Sequence, residues 1–306
     1  MPANTANLEN YMPSNVIQWY PGHMAKTRRI IEENLKNVDV IIELLDARIP
    51  YSSRNPEIEK LKASKPSIVL LNKASLADPE QTAGWSRLYS ADDCICIPTD
   101  CISGNGLGRI APAMRQLCSE KLEKYRERGM TGRKLKAMVL GIPNVGKSSL
   151  VNRLAGAGKA KVENRPGVTL NKQWIATAAG FDLLDMPGIL WPKFDDRRVA
   201  ENLAATGAVK DVVIDTEAVA LALCRRLRKY YPEQLCTRYK LGEPSEVFGF
   251  TDAELLDFIG RKRGFRISGG EIDLERTVSV LLDEFRSGKI GRITLDHLSA
   301  DKLAEQ

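Results

Sequence analysis

Gly141-Ile142-Pro143-Asn144-Val145-Gly146-Lys147-Ser148 fits the pattern G-x-x-x-x-G-K-[ST] at every position. An apolar run, Ala137-Met138-Val139-Leu140, precedes it, and the helix-compatible Ser149-Leu150-Val151-Asn152-Arg153-Leu154 follows. That is the strand, loop and helix context the pattern requires. Glycines let backbone N–H groups close around phosphate oxygens, and the helix N-terminus adds a favourable dipole. Lys147 would reach the β- and γ-phosphates and the Ser148 hydroxyl would ligate Mg²⁺, with Val145, Gly146 and Ser149 lining the same nucleotide-binding loop.

Two shorter pieces lie downstream at suitable distances. Asp185-Met186-Pro187-Gly188 has the D-x-x-G form, in which Asp185 would hold Mg²⁺ through water and the Gly188 amide would meet a γ-phosphate. Between the two, Arg165-Pro166-Gly167-Val168-Thr169 offers Thr169 as a metal ligand engaged only when a γ-phosphate is present. Upstream, Ser67-Ile68-Val69-Leu70-Leu71 reads as a strand running into Asn72-Lys73, the start of a guanine-reading Asn-Lys-x-Asp motif. The base motif therefore precedes the phosphate loop. An ordinary GTPase has the reverse order, so the domain reads as one cut and rejoined elsewhere.

Around these motifs, short apolar runs at 38–45, 67–71, 94–98, 136–140, 173–177 and 181–184 read as strands. Helical segments are expected at 25–37, 57–63, 81–89, 108–128 and 147–155. The alternation implies a mostly parallel sheet with helices on both faces. After Pro192 helical periodicity takes over, near 197–206, 216–230, 252–262 and 274–287, with Pro232 and Gly288 as punctuation. The expected fold class is α/β: a circularly permuted P-loop GTPase domain over 1–193, followed by an α-helical domain over 194–306.

With 306 residues, 43% of them hydrophobic, the chain can bury two cores of this kind. It holds no run of about 18 apolar residues and no secretory signal, so no membrane partner is expected. Six cysteines without C-x-x-C spacing and only two histidines argue against a zinc site or a disulfide framework. They suit reduced thiols and a cytoplasmic location. The net charge of +6 belongs to the first two-thirds, since residues 195–306 hold 18 Lys and Arg against 20 Asp and Glu. Basic clusters remain there at Arg225, Arg226, Arg228 and Lys229 and at Arg261, Lys262, Arg263 and Arg266, the first beside Tyr230 and Tyr231. Such clusters suit phosphate backbones and, with the tyrosines, stacking on unpaired bases; solvated helix faces and core aromatics are the plainer reading.

Taken together, Asn72-Lys73, the phosphate loop, Pro166-Gly167-Val168-Thr169 and Asp185-Met186-Pro187-Gly188, in that order, resemble the circularly permuted ribosome-biogenesis GTPases typified by YlqF and RbgA, which have mitochondrial relatives. Three more stretches carry the resemblance: Trp19-Tyr20-Pro21-Gly22-His23-Met24-Ala25-Lys26; Asp46-Ala47-Arg48-Ile49-Pro50 with Arg54-Asn55-Pro56; and Gly188-Ile189-Leu190-Trp191-Pro192. The resemblance implies a GTP-hydrolysing factor that binds the immature large ribosomal subunit and its rRNA, is a monomer off the ribosome, and leaves after hydrolysis. Ile189 follows Gly188 where many GTPases place a water-orienting glutamine, so the catalytic group comes from elsewhere or intrinsic hydrolysis is slow. By resemblance that group is His23; helix capping or rRNA contact stays open for it. Asn144 is by analogy a ligand for K⁺, or alternatively an asparagine that stabilises a turn.

One departure bears on the base. The motif reads Asn72-Lys73-Ala74-Ser75, with serine where the family has an aspartate that accepts two N–H groups of guanine. Losing a charged hydrogen bond costs about 1.5–3 kcal/mol, so weakened guanine selectivity is expected. Asp78, three residues on, is not expected to replace it. Cys101 and Ile102 stand where a Ser-Ala pair contacts the guanine O6 through backbone amides, a contact tolerant of such changes. Two other readings follow from Ser75: an RNA-binding module with a decayed nucleotide site, and a permuted NTPase with relaxed purine selectivity.

Overall fold

The computed structural model describes residues 21–62, 65–130, 132–156, 173–188 and 196–299, with side chains from residue 28 onward. Its centre is β1 (Val40–Asp46), every residue of which is buried. On one side lie β2 (Ser67–Asn72) and β3 (Cys94–Pro98); on the other lie β4 (Lys136–Gly141), β6 (Asp182–Asp185) and β5 (Gln173–Ala176). The order among the described residues is β3-β2-β1-β4-β6-β5. All neighbours are parallel except the edge strand β5, which runs antiparallel to β6. Strands buried on both faces need near-continuous apolar runs, which is why β1, β2 and β4 were legible as such.

Register brings the motifs together. Asp46 pairs with Asn72, Leu44 with Gly141, and Val139 with Asp185, so the strand ends carrying them share the carboxyl edge of the sheet. The chain builds outward from β1 through β2 and β3, then resumes on the other side at β4. Ligands of open α/β sheets bind at such a reversal.

Alternate residues feed opposite faces. Val40, Ile42 and Leu44 join a core that includes Val139 and Leu150 and continues into the helical portion. Ile41, Met138, Leu140 and Leu184 pack with Ile31 of α1 (Pro21–Leu35) and Ile58 of α2 (Pro56–Lys62). Leu45, Val69 and Leu71 pack with Trp85 of α3 (Pro79–Leu88) and with Leu298. Helix α1 starts at Pro21, earlier than expected, because a proline suits the first helical position, where its missing N–H has no partner anyway. The helix expected over 108–128 is instead a single 3₁₀ turn, then α4 (Ile110–Leu117) and α5 (Ser119–Glu127). The break falls at Cys118, buried with a non-helical ψ of 19°, while α5 buries no residue.

Beyond β6 the described chain is helical. It comprises α7 (Arg197–Ala205), α8 (Thr216–Tyr230), α9 (Pro232–Tyr239), α10 (Pro244–Val247), α11 (Asp252–Arg263) and α12 (Leu274–Arg286), numbered after α6 (Lys147–Ala155). Both α9 and α10 open on prolines, so Pro232 starts a helix rather than ending one. After α12 the chain returns to the sheet as a strap. Ile293 N–H donates to the Leu76 carbonyl (3.0 Å) and Leu295 N–H to that of Arg48 (2.7 Å). The Trp85 Nε1–H donates to Asp296 O, and Arg292 donates to Ala74 O and Ala77 O.

Glu43 breaks the apolar run of β1. It is 1% exposed, and Arg54 Nε stands 3.5 Å from its Oε2. Burial pushes its carboxyl up to about 7, outweighing the pull of Arg54. Its ordinary value is 4.5, so stability is fully present below pH 4.5 and is lost as pH rises through 7. Glu43→Gln should remove that loss, raising stability at pH 8 by about 3 kcal/mol and flattening melting temperature between pH 5 and 8. An unchanged pH slope in the variant would show that Glu43 ionises normally.

Candidate functional site

Four loops meet at the carboxyl edge. Gly146, with φ of 108°, ends the phosphate loop, and a Cβ there would come within 2.3 Å of Asn72 Nδ2. Glycine is thus required both for its left-handed backbone and for the close approach. Asn72 is 3% exposed; its Nδ2 donates to Val145 O at 2.7 Å and its Oδ1 accepts from Cys101 N–H at 2.9 Å. One amide thus fastens the base loop to the phosphate loop and to the loop of Cys101 and Ile102. Lys73, in a left-handed conformation (φ 60°), donates from Nζ to Asp46 Oδ2 (2.8 Å) and to Asn144 O (3.0 Å).

Asp46 lies beneath this junction, and no role for it follows from the motif spacing alone. Arg48 grips it with Nε at 2.9 Å from Oδ1 and Nη2 at 2.8 Å from Oδ2, and both residues are about 2% exposed. Burial alone would raise the Asp46 carboxyl, but Arg48 and Lys73 outweigh it and hold the group well below the usual carboxylate range. Arg48 Nη1 also donates to Arg286 O at the end of α12, and its guanidinium lies 5.4 Å from the Phe285 ring centroid.

Lys147 begins α6 and is fully enclosed by its own loop, donating to Gly141 O at 2.9 Å and Ile142 O at 2.7 Å. Burial pushes its ammonium down to about 8, with Asp185 opposing. Gly188 closes over it, since a Cβ there would meet Lys147 Nζ at 2.9 Å and Pro143 N at 3.0 Å. Ser148, Ser149 and Asp185 stand at the same edge, the first two in the opening turn of α6 and the last at the end of β6. A hydroxyl and a carboxylate are hard oxygen donors, a set that fits a divalent metal of the Mg²⁺ kind. Thr169 and Ile189 lie outside the described residues, as does the side chain of His23, whose backbone is in the first turn of α1.

Asn144 has both a turn role and a wider one. Its φ of 57° is left-handed, and its Nδ2 donates to Gly207 O just after α7, at 2.7 Å. The base loop holds a further contact that the sequence reading missed: Ser75 Oγ donates to the Asp100 carboxylate. Asp78 is committed elsewhere, capping α3 through Glu80 N–H and Gln81 N–H and accepting from the Tyr231 hydroxyl.

The basic clusters are largely spoken for. Arg225 and Arg228 pair with Asp252, and Arg226 with Glu201. Tyr231 is 3% exposed, and Tyr230 stacks on His297 at 4.4 Å between centroids, so neither tyrosine is presented for base stacking. Arg261, Lys262 and Arg266 remain exposed, Arg261 in an ion pair with Asp257 (2.6 Å). Arg261 and Arg266 line an open cleft of about 430 Å³ with Asp257 and the turn Gly270-Glu271-Ile272.

The model of the 50S ribosome-binding GTPase family matches residues 136–237. Ribosome biogenesis GTPase A of Bacillus licheniformis is 46% identical over 282 residues, covering 92% of this chain and 98% of that protein. Mitochondrial ribosome-associated GTPase 1 of Mus musculus is 31% identical over 300 residues, covering 92% and 90%. Among solved structures, GDP-bound TM YlqF and GNP-bound YlqF from T. maritima superpose with a TM-score of 0.57 at 22% identity. They cover 88% and 89% of this chain and 99% and 98% of theirs, which shows a shared fold.

Proposed function

The chain belongs to the ribosome biogenesis GTPase A family of GTP-hydrolysing assembly factors, and on that premise we propose that it binds the immature large ribosomal subunit and that its nucleotide state switches its hold on rRNA. The observation that carries the switch is the bond from Asn144 to Gly207: the loop that cradles phosphates also holds the helical portion. Rearrangement of that loop on binding or losing a γ-phosphate alters the anchor of α7, which is how GTPase switches reach a second domain.

Residues 1–193 form the nucleotide domain in this reading and 194–306 the rRNA-holding domain, with the strap of 290–298 returning to the first. Lys147 neutralises charge on the terminal phosphates, its lowered pKa rising again beside an anion. Ser148, Asp185 and Thr169 hold Mg²⁺, which when bound supplies charge stabilisation to the phosphates. His23 positions the attacking water. The side-chain oxygen of Asn144 serves K⁺ while its nitrogen engages Gly207. Arg261, Lys262 and Arg266 supply the backbone contacts to rRNA. The protein acts as a cytoplasmic monomer when off the ribosome.

Hydrolysis of GTP and ATP measured in parallel, with and without purified large subunits, in potassium and in sodium buffer, tests this. GTP-selective turnover raised by the subunits and by potassium is expected. Turnover indifferent to the subunits would sink the assembly reading, and indifference to potassium would sink the role of Asn144.

A further inference from the structure

We infer that Asp100, behind Ser75, supplies the carboxylate of the guanine-reading site, the negative charge for which the base motif itself has only a serine. The inference rests on reading 72–75 as the base loop. Guanine presents N1–H and N2–H₂ on its pairing edge, two donors side by side, whereas adenine offers an acceptor at N1. Selecting guanine therefore takes a pair of acceptors, and a charged pair selects more strongly.

Ser75 is exposed at the tip of the base loop, and Asp100 lies behind it, 7% exposed. Because Ser75 Oγ donates its hydrogen to Asp100 Oδ2, it has only lone pairs left to offer, and the carboxylate charge stands directly behind them. Asp100 Oδ1 accepts from Ile102 N–H and Ser103 N–H, both at 3.0 Å, which fixes the carboxylate's orientation. Burial would raise its pKa, but Ser75 and these two amides lower it, so it stays ionised. The two backbone amides fall on Oδ1 and Ser75 on Oδ2, which leaves Oδ2 a lone pair beside Ser75 Oγ. These two oxygens form an adjacent acceptor pair.

The two loops are registered to one another rather than merely close. Asn72 Oδ1 accepts from Cys101 N–H, Ala74 N–H donates to Thr99 O at 3.0 Å, and Thr99 N–H donates to Leu71 O at 2.8 Å. Asp78, the nearest carboxylate in sequence, is spent on α3 and Tyr231.

The test is equilibrium binding of GDP, IDP and ADP to the full chain and to two variants. IDP lacks the N2 amino group and ADP lacks both donors in this arrangement. Asp100→Asn keeps the shape and the turn but removes the charge. Its GDP-over-ADP and GDP-over-IDP preferences should fall about ten- to a hundred-fold with ADP affinity unchanged. The double variant Ser75→Asp/Asp100→Ser, which returns the carboxylate to position 75, should regain guanine preference. Each ratio is read on one protein, so partial unfolding cancels. Wild-type ratios in Asp100→Asn, an equal loss for all three nucleotides, or a double variant no better than Asp100→Asn would overturn the role of Asp100. A wild-type chain that binds GDP and ADP equally would overturn it too while leaving the phosphate site intact. One that binds neither would refute the nucleotide site itself.

Discussion

Lys147→Ala should lower single-turnover GTP hydrolysis on the order of a hundred- to a thousand-fold, the usual cost of removing one preorganised group that meets developing charge. The same change should leave thermal stability unchanged or slightly raised. The two outcomes share a cause. Lys147 is buried with its ammonium on the carbonyls of Gly141 and Ile142, and burial, against the pull of Asp185, has pushed it down to about 8. A cation kept in that state costs stability in the empty site and is repaid when a phosphate arrives. Hydrolysis that survives in the variant would place the chemistry elsewhere in the chain. Surviving hydrolysis would also leave the enclosing glycines at 141, 146 and 188 without a purpose.

Arg48→Ala should destabilise the fold by about 3 kcal/mol, the lower end of the penalty for breaking a buried pair, since the charge keeps Lys73 but loses its forked partner. Asp46 is the charge left behind: the residue-48 N–H still reaches Oδ1 and Lys73 still reaches Oδ2, but both oxygens lose a guanidinium N–H and Lys73 also serves Asn144 O. Arg48→Lys should not rescue it, because a single ammonium cannot make the forked contact and still reach Arg286 O. Thermal unfolding of the two variants checks this; a melting temperature near wild type in either would show that Asp46 is solvated or protonated. The double change Asp46→Asn/Arg48→Met should cost less than Arg48→Ala alone, since it removes the orphaned charge together with the group that balanced it.

The phosphate loop was legible because its chemistry fixes residue types at fixed spacing over eight positions, and local sequence carries all of that. The strands β1, β2 and β4 were legible for a similar reason: burial on both faces demands long apolar runs, interrupted in β1 by Glu43. What escaped was every feature that depends on partners distant in sequence. Arg225, Arg226 and Arg228 read as a basic patch, but Asp252 and Glu201 meet them only once α7, α8 and α11 have packed. Tyr231 is buried between Asp78 and Thr294, which lie on opposite ends of the chain. Ser75 reads as a loss until the fold places Asp100 behind it. Asp46 and Arg48 were visible as part of a shared stretch, yet their function as a buried clasp beneath two loops is a property of the sheet register.

The strap over the base loop has a consequence for how the protein comes into being. Arg292 braces Ala74 across 218 residues of chain, and Thr294 reaches Ala47 across 247. Translation proceeds at roughly 5–20 residues per second, so the base loop waits on the order of ten to forty seconds after its own synthesis before its brace exists. Contacts so far apart in sequence also form slowly once both ends are made. During that interval the nascent chain holds a half-built pocket, and it gains a finished one only after the ribosome making it has moved on by 218 codons.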